Sequence, residues 1–473
     1  MDSSMSRALF AVFWALSAVA QAAESLPTPS GPPLSDDPTL KSFVKESLEG
    51  RPELTQVRAQ VRAESERAPQ VSALPDPTLS LGIQNDGFSG IQIGKMETSF
   101  LAVTASQTFP LAGKRGLRAD VAHLGARSAE VDLQRALLSA EADVERAYLD
   151  LLLVRDQLAL LGKLESLWTQ SEGLARARYE AGEGTQSDLL RAQLERTRLR
   201  QRRWSLESDE RRRVAALNRL RGHPLDEKVA TERSVVDLPD PVQPDVGQAV
   251  AQAQNDSPEL KKAMLVDKQA HHRVEMAKKE RWPDLTVMAG LMPRWGDFPT
   301  MWQAAVSFNV PIWSTQKQAR AVAENQARSD AAASGAETIR QVLRERIVER
   351  LAGLHGLVES NRLYRAGLLV QSEATVNSTL LQYQVGRVTF ASVLEALVGY
   401  LNDRNGFLES IAAAQRIAIA QREISLEASG GGAAGLGGGA IPGAGGQATS
   451  GSSAASAPAQ GVESGGGSSM TRM

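Results

Sequence analysis

The chain carries the same series of landmarks twice, which limits it to a fold built from two similar halves. Tyr179-Glu-Ala-Gly182-Glu-Gly-Thr185-Gln-Ser-Asp188-Leu189-Leu190 returns as Tyr383-Gln-Val-Gly386-Arg-Val-Thr389-Phe-Ala-Ser392-Val393-Leu394. Pro52-Glu53-Leu54 returns as Pro258-Glu259-Leu260, Pro75-Asp76 as Pro283-Asp284, and Phe109-Pro110-Leu111 as Val310-Pro311-Ile312. The separations are about 204, 206, 208 and 201 residues, in one order, as an internal repeat requires.

Within each half the hydrophobic period changes from two to about three and a half. Leu79, Leu81 and Ile83 alternate with polar or small residues, as do Leu101, Val103 and Ala105. The pair reads as a β-hairpin over about 78–109. Leu285, Val287, Ala289 and Leu291, then Trp302, Ala304, Val306, Phe308 and Val310, repeat the pattern over about 284–310. A long helical tract follows each hairpin. From Leu133 the apolar positions are Leu137, Ala140, Val144, Ala147, Leu151, Val154, Leu158 and Leu161. Steps of four and three make a 3.5-residue repeat, which winds helices into a left-handed coiled coil. Leu343, Ile347, Leu351, Leu354 and Val358 act similarly in the second half. Each tract of about 70 residues gives on the order of 100 Å of helix. Gly182 and Gly386 favour reversal of the chain there, and Thr185 and Thr389 are expected to cap the returning helices.

The expected organisation is a signal peptide at 1–22, an extended arm at 23–37 and a first repeat at 38–222. A Pro-rich linker at 223–246, a second repeat at 247–428 opening with a helix from about Asp245 to Arg281, and a disordered tail at 429–473 complete it. The signal rests on Arg7, the apolar run Ala8–Ala20 and the small-x-small Ala20-Gln21-Ala22. The tail rests on its Gly/Ser/Ala composition. The 473 residues include no cysteine, which excludes thiol catalysis, cysteine-ligated metals and disulfides. A net charge of −2 gives no reason to expect nucleic acid. No phosphate-binding loop, His-Glu-x-x-His or Gly-x-Ser-x-Gly is present, so no enzyme and no cofactor are expected.

The strand runs approach the 9–11 residues of a tilted membrane strand. Trp282 and Trp313 bracket the second hairpin and Trp295 lies in its loop, as in an interfacial aromatic girdle; packing in an ordinary sheet is the alternative. Four strands cannot close a barrel, so several copies would have to share one.

These features, with Ser106-Gln107-Thr108-Phe109-Pro110-Leu111-Ala112-Gly113-Lys114-Arg115-Gly116-Leu117-Arg118, resemble the TolC-like outer membrane efflux family over residues 38 to 428. The resemblance implies a mainly helical homotrimer with a twelve-stranded β-barrel in outer membrane lipid and a periplasmic helical tunnel. It also implies a periplasmic adaptor and an inner-membrane RND-type transporter as partners. By the same resemblance Tyr179, Gly182, Thr185, Tyr383, Gly386 and Thr389 form the periplasmic tip that meets the adaptor. Asp188, Arg387, Ser392 and Glu395 are the matching candidates for the pore constriction; solvated surface charge is the alternative for Asp188 and Glu395. The Gly113–Arg118 segment resembles the heavy-metal, CzcC- and CusC-like branch, with drug, metabolite or type I secretion ducts as alternatives. A periplasmic adaptor or a structural coiled coil fits less well, because neither explains two hairpins with paired strands. The histidines His123, His223, His271, His272 and His355 show no metal-ligand spacing, and no resident metal is expected. Met288, Met292 and Met301 are read as lipid-facing or packing residues.

Overall fold

The computed structural model describes residues 32–426. The expected signal peptide, most of the arm and the tail lie outside the described residues. The order of elements is α1 (Pro38–Gly50), α2 (Pro52–Ser65), α3 (Arg67–Ser72), β1 (Thr78–Gln84), β2 (Phe100–Phe109), α4 (Lys114–Glu180) and α5 (Gln186–Arg221). Then come α6 (Val246–Asp256), α7 (Pro258–Lys279), β3 (Leu285–Met292), β4 (Met301–Phe308), α8 (Gln318–Leu363), α9 (Leu369–Gln384) and α10 (Phe390–Glu423).

Proline fixes three of the helix starts. Pro38, Pro52 and Pro258 stand at first helical positions, where a missing N–H costs nothing. Asp37 and Ser257 cap two of these helices by accepting from Thr39 N at 2.9 Å and Leu260 N at 3.2 Å. The helix expected from Asp245 to Arg281 is therefore two helices, broken at Ser257. The 67-residue α4 is continuous, whereas its counterpart passes from α8 to α9 through a π turn at Tyr364–Leu368.

The four strands form one antiparallel sheet in the order β1-β2-β3-β4. Its register puts Leu81 opposite Val103, Val103 opposite Leu291, and Leu291 opposite Trp302. One face thus carries Leu79, Leu81, Ile83, Val287, Val306 and Phe308, all well exposed. The other carries Ser80, Thr104, Ser106, Thr108, Thr286, Gln303 and Ser307. Met288, Met292 and Met301 alternate onto this polar side, which corrects the lipid-facing half of their reading. Trp282, Trp295, Trp302 and Trp313 are all exposed, so they do not pack a soluble sheet core.

A buried lysine joins the sheet to the helices. Lys114 is 2 % exposed; its Nζ donates to Trp282 O at 2.8 Å and to Asp284 Oδ1 at 3.0 Å, where β3 begins. Arg115 Nε donates to Ser72 O at 2.8 Å, and Arg118 lies 3.9 Å from Glu280.

At mid-height α4 is buried on every side. Tyr148, Leu149, Leu151, Leu152 and Leu153 are all in the core, which takes in α1, α5, α10 and the interhelical segment, and Val154 is buried as well. The segment between α5 and α6 is more than a linker. Val229, Val235 and Leu238 are buried, and Asp156 on α4 accepts from Ser234 Oγ at 2.9 Å and Val235 N at 2.6 Å. Residues 34–36, expected to be extended, form a 3-10 turn with Leu34 in the core. Charged groups bridge the same level. Tyr148 donates to Asp37 Oδ2 at 2.8 Å, Arg422 donates to Glu145 at 2.7 Å, and Glu423 accepts from Arg135 at 2.7 Å and from Arg146.

Burial holds the Glu145 carboxyl above its usual 4.5, opposed by the adjacent Arg422. A carboxyl raised in the folded state contributes stability fully below 4.5 and loses it as pH rises through the folded value. Arg422→Met leaves the carboxylate without its ion partner and raises it further. The variant is expected to lose about 2 kcal/mol at pH 8, less than a fully enclosed pair because Arg422 is half exposed. The deficit should shrink toward pH 5, as thermal melts across that range will show.

Candidate functional site

Both long helices end in the same hydrogen-bonded turn. Glu183 N donates to Arg178 O at 2.9 Å and Gly182 N to Tyr179 O at 3.0 Å. Arg387 N donates to Gln382 O at 2.9 Å and Gly386 N to Tyr383 O at 3.0 Å. This is the Schellman pattern, which places the residue after the helix in the left-handed region. Gly182 and Gly386 occupy that position with φ of 76° and 75°. Thr185 caps α5 by accepting from Asp188 N at 3.3 Å. Thr389 does not cap α10 as expected. Its hydroxyl lies 3.4 Å from Ser392 Oγ instead.

The two turns meet through Arg178. Its guanidinium donates to the Tyr383 and Glu183 carbonyls and lies 5.1 Å from the Tyr383 ring centroid. The Tyr383 ring also packs against Phe390 at 5.4 Å. Tyr383 is 2 % exposed, and its hydroxyl has no hydrogen-bond partner among the described residues. Burial first, then the nearby Asp188 charge, pushes its phenol above the ordinary value of 10. Asp188, Arg191 and Arg387 line a cleft of about 520 Å³ at this junction. Ser392 and Glu395, on the first turns of α10, stand outside that lining. The structure therefore brings Asp188 and Arg387 together and leaves Glu395 exposed. Arg178 and Phe390 were missed in the sequence because neither is repeated: Arg178 precedes the motif, and Phe390 lies inside it opposite Gln186. Only the loss of symmetry at Arg178/Gln382 and Gln186/Phe390 signals them.

Residues 43–223 match the family model for outer membrane efflux protein. The outer-membrane channel OprN has 19 % identity and a TM-score of 0.70, over 83 % of this chain and 91 % of that one. CusC has 16 % identity and a TM-score of 0.70, over 84 % and 97 %. The CmeC outer membrane channel of Campylobacter jejuni has 15 % identity and a TM-score of 0.65, over 82 % and 86 %. Over residues 43–223 the chain matches the outer membrane efflux protein family, and along most of its length it shares the fold of these channels. No curated protein sequence matches it.

OprN and CmeC, which share this fold, are outer membrane channels. Among the described residues no helix is long and apolar enough to cross a membrane. Nor do the described residues hold any metal-ligand group of three or more His, Asp or Glu. His223 lies 2.9 Å from Glu227, and His271 lies 3.3 Å from Ser329.

The two tip glycines differ in one testable respect. An added Cβ at Gly182 meets nothing within 4 Å, whereas at Gly386 it lies 3.2 Å from the Arg178 guanidinium. Gly182→Ala should cost about 1 kcal/mol from its backbone conformation alone. Gly386→Ala should cost more, and the excess should vanish in an Arg178→Ala background. A double-mutant cycle of melting temperatures checks this.

Proposed function

We propose that three copies of this chain form the exit duct of a tripartite efflux pump. The duct docks through a periplasmic adaptor to an inner-membrane RND-type transporter. One observation carries the reading: a four-stranded sheet with one apolar face, one polar face and two unpaired edges, β1 and β4, joined to helices on the order of 100 Å long. Such a sheet fits lipid only when its edges are closed, and three copies supply twelve strands with a polar lumen.

Gly182, Thr185, Gly386 and Thr389, all on the turns, carry the adaptor contact together with Tyr179. Tyr383, which the resemblance places in the same contact, is buried against Arg178 and Phe390 and supports the turn from behind. Asp188, Arg387, Ser392 and Glu395 set the charge of the constriction, where carboxylates repeated around the ring favour cations.

The proposed cargo is heavy-metal cations, on the resemblance of the Gly113–Arg118 segment to the metal branch. The geometry of that segment favours a second reading. Lys114, Arg115 and Arg118 are engaged in the joint between sheet and helices, a role that suits a duct for organic drugs or metabolites equally well. A deletion strain separates the two. Selective sensitivity to copper, silver, zinc, cobalt or cadmium, restored by the gene, supports metal cargo; sensitivity to organic toxins alone rejects it.

Purified protein in a planar bilayer should give discrete conductance steps. Asp188→Asn with Glu395→Gln should lower cation-over-anion permeability severalfold, read from the reversal potential in a salt gradient. An unchanged reversal potential would assign both carboxylates to the solvated surface.

A further inference from the structure

Three methionines on the polar face of the sheet have no part in the reading above. That face otherwise carries hydroxyls and an amide, among them Thr104, Thr286, Gln303 and Ser307. Met292 closes β3 and Met301 opens β4, and the register sets them directly opposite each other. Directly opposed residues of an antiparallel pair share a face and hold their Cβ atoms about 5 Å apart. Two thioethers thus stand side by side at the end of the sheet away from the helices. Met288 is placed differently. It shares their face, but its cross-strand partners are Ser106 and Ala305, and it lies about 13 Å along the strand from Met292.

The loop between the paired methionines is fastened. Arg294 is 6 % exposed; it donates from Nε to Pro299 O at 2.9 Å and from Nη1 to Glu97 O at 3.4 Å. Its guanidinium also lies 5.7 Å from the Phe298 ring centroid. Gly296 passes so close to the first hairpin that an added Cβ would stand 2.5 Å from Gly94 O. Met292 and Met301 are the two feet of this loop, so its fastening fixes the gap between them. The Arg294 charge is engaged by the Glu97 carboxylate rather than left free beside the sulfurs.

Thioether sulfur is a soft, uncharged ligand that selects copper(I) over hard cations. Filling an apolar gap is the ordinary use of methionine, but this pair borders a face of hydroxyls. We propose that Met292 and Met301 together bind a soft monovalent cation, copper(I) or silver(I). The inference rests on the duct and metal-cargo reading above for its purpose: it names the class of cargo and gives it a contact at the outer end of the duct. Two neutral ligands hold an ion weakly enough for onward release, as conduction requires.

Silver(I) nitrate titrated into the purified full chain, in detergent and halide-free buffer, tests the pair by calorimetry. One ion per chain should depend on it. Met292→Leu and Met301→Leu keep side-chain volume and should each weaken that ion at least tenfold, whereas Met288→Leu should not. The double variant should add little to either single change, because both sulfurs hold one ion. The affinity should stay flat over roughly pH 5 to 8, since a thioether has no proton to lose, unlike a histidine or carboxylate site. Silver should also shield Met292 and Met301 of the unaltered protein from peroxide, read as sulfoxide by peptide mass spectrometry, and leave Met288 unshielded. Unchanged affinity in both leucine variants, or equal shielding of Met288, overturns the site and leaves the cargo reading to the deletion strain. A strain sensitive only to organic toxins, with silver still bound by the pair, rejects the cargo reading and keeps the site.

Discussion

An apolar sheet face with two open edges is the constraint from which the rest of this molecule follows. Each unpaired backbone group on β1 or β4 would cost several kcal/mol in hydrocarbon, so the sheet cannot stand alone in a bilayer. Nor can it turn its Leu79, Leu81, Ile83 and Phe308 face to water as a large exposed patch without inviting association. The connections respect this. Each hairpin opens away from its helices, both helix-side ends converge, and Lys114 binds the first long helix to the start of the second hairpin. The two repeats are thereby cross-linked at the sheet end by a buried cation and at the far end by Arg178.

Between those two fastenings lies the level at which α4 is enclosed on all sides. Ordinary coiled-coil geometry covers only one stripe of a helix. Here α1, α5, α10 and the segment around Val235 cover the remainder. Burying Tyr148, Glu145 and Asp156 there is tolerable because each finds a partner: Asp37, Arg422 and the Ser234–Val235 backbone and hydroxyl respectively. The pairing matters more than the count of bonds, since a buried polar group left alone costs more than a satisfied one contributes.

Local chemistry decides what could be read in the sequence. Alternation of Leu79, Leu81 and Ile83 has one cause, a strand with unlike faces, and the strands lie where that pattern puts them. Gly182 and Gly386 were legible because a Schellman turn excludes most other residues. The 3.5-residue seam of α4 was legible too, but Leu152 and Leu153 lie off it, and only distant parts of the chain make them core. The same holds for Val229, Val235 and Leu238, which read as linker because their partners are on α4. Thr389 shows the reverse case. Its sequence context matches Thr185, but its hydroxyl turns to Ser392, a residue that stands where the first repeat has Asp188. The π turn at Tyr364–Leu368 had no composition signal. It sits where Tyr364 lies over Gly406, beside Phe407 at 5.7 Å, and where Arg365 reaches Asp240. At the candidate site the repeated residues were visible and Arg178 was not, because its work begins where the repeat ends.

The collar at Tyr148–Val154 falls near the midpoint of α4, and that position makes the helix a lever held at its fulcrum. About 30 residues, or roughly 45 Å, extend beyond it on either side. A deflection of about 10° past the fulcrum carries the turn at Gly182 through roughly 8 Å over that 45 Å arm. The arm on the other side need not move at all, because the collar absorbs the bending moment. A helix so held can swing its Gly182 end while its Lys114 end keeps its place against the sheet.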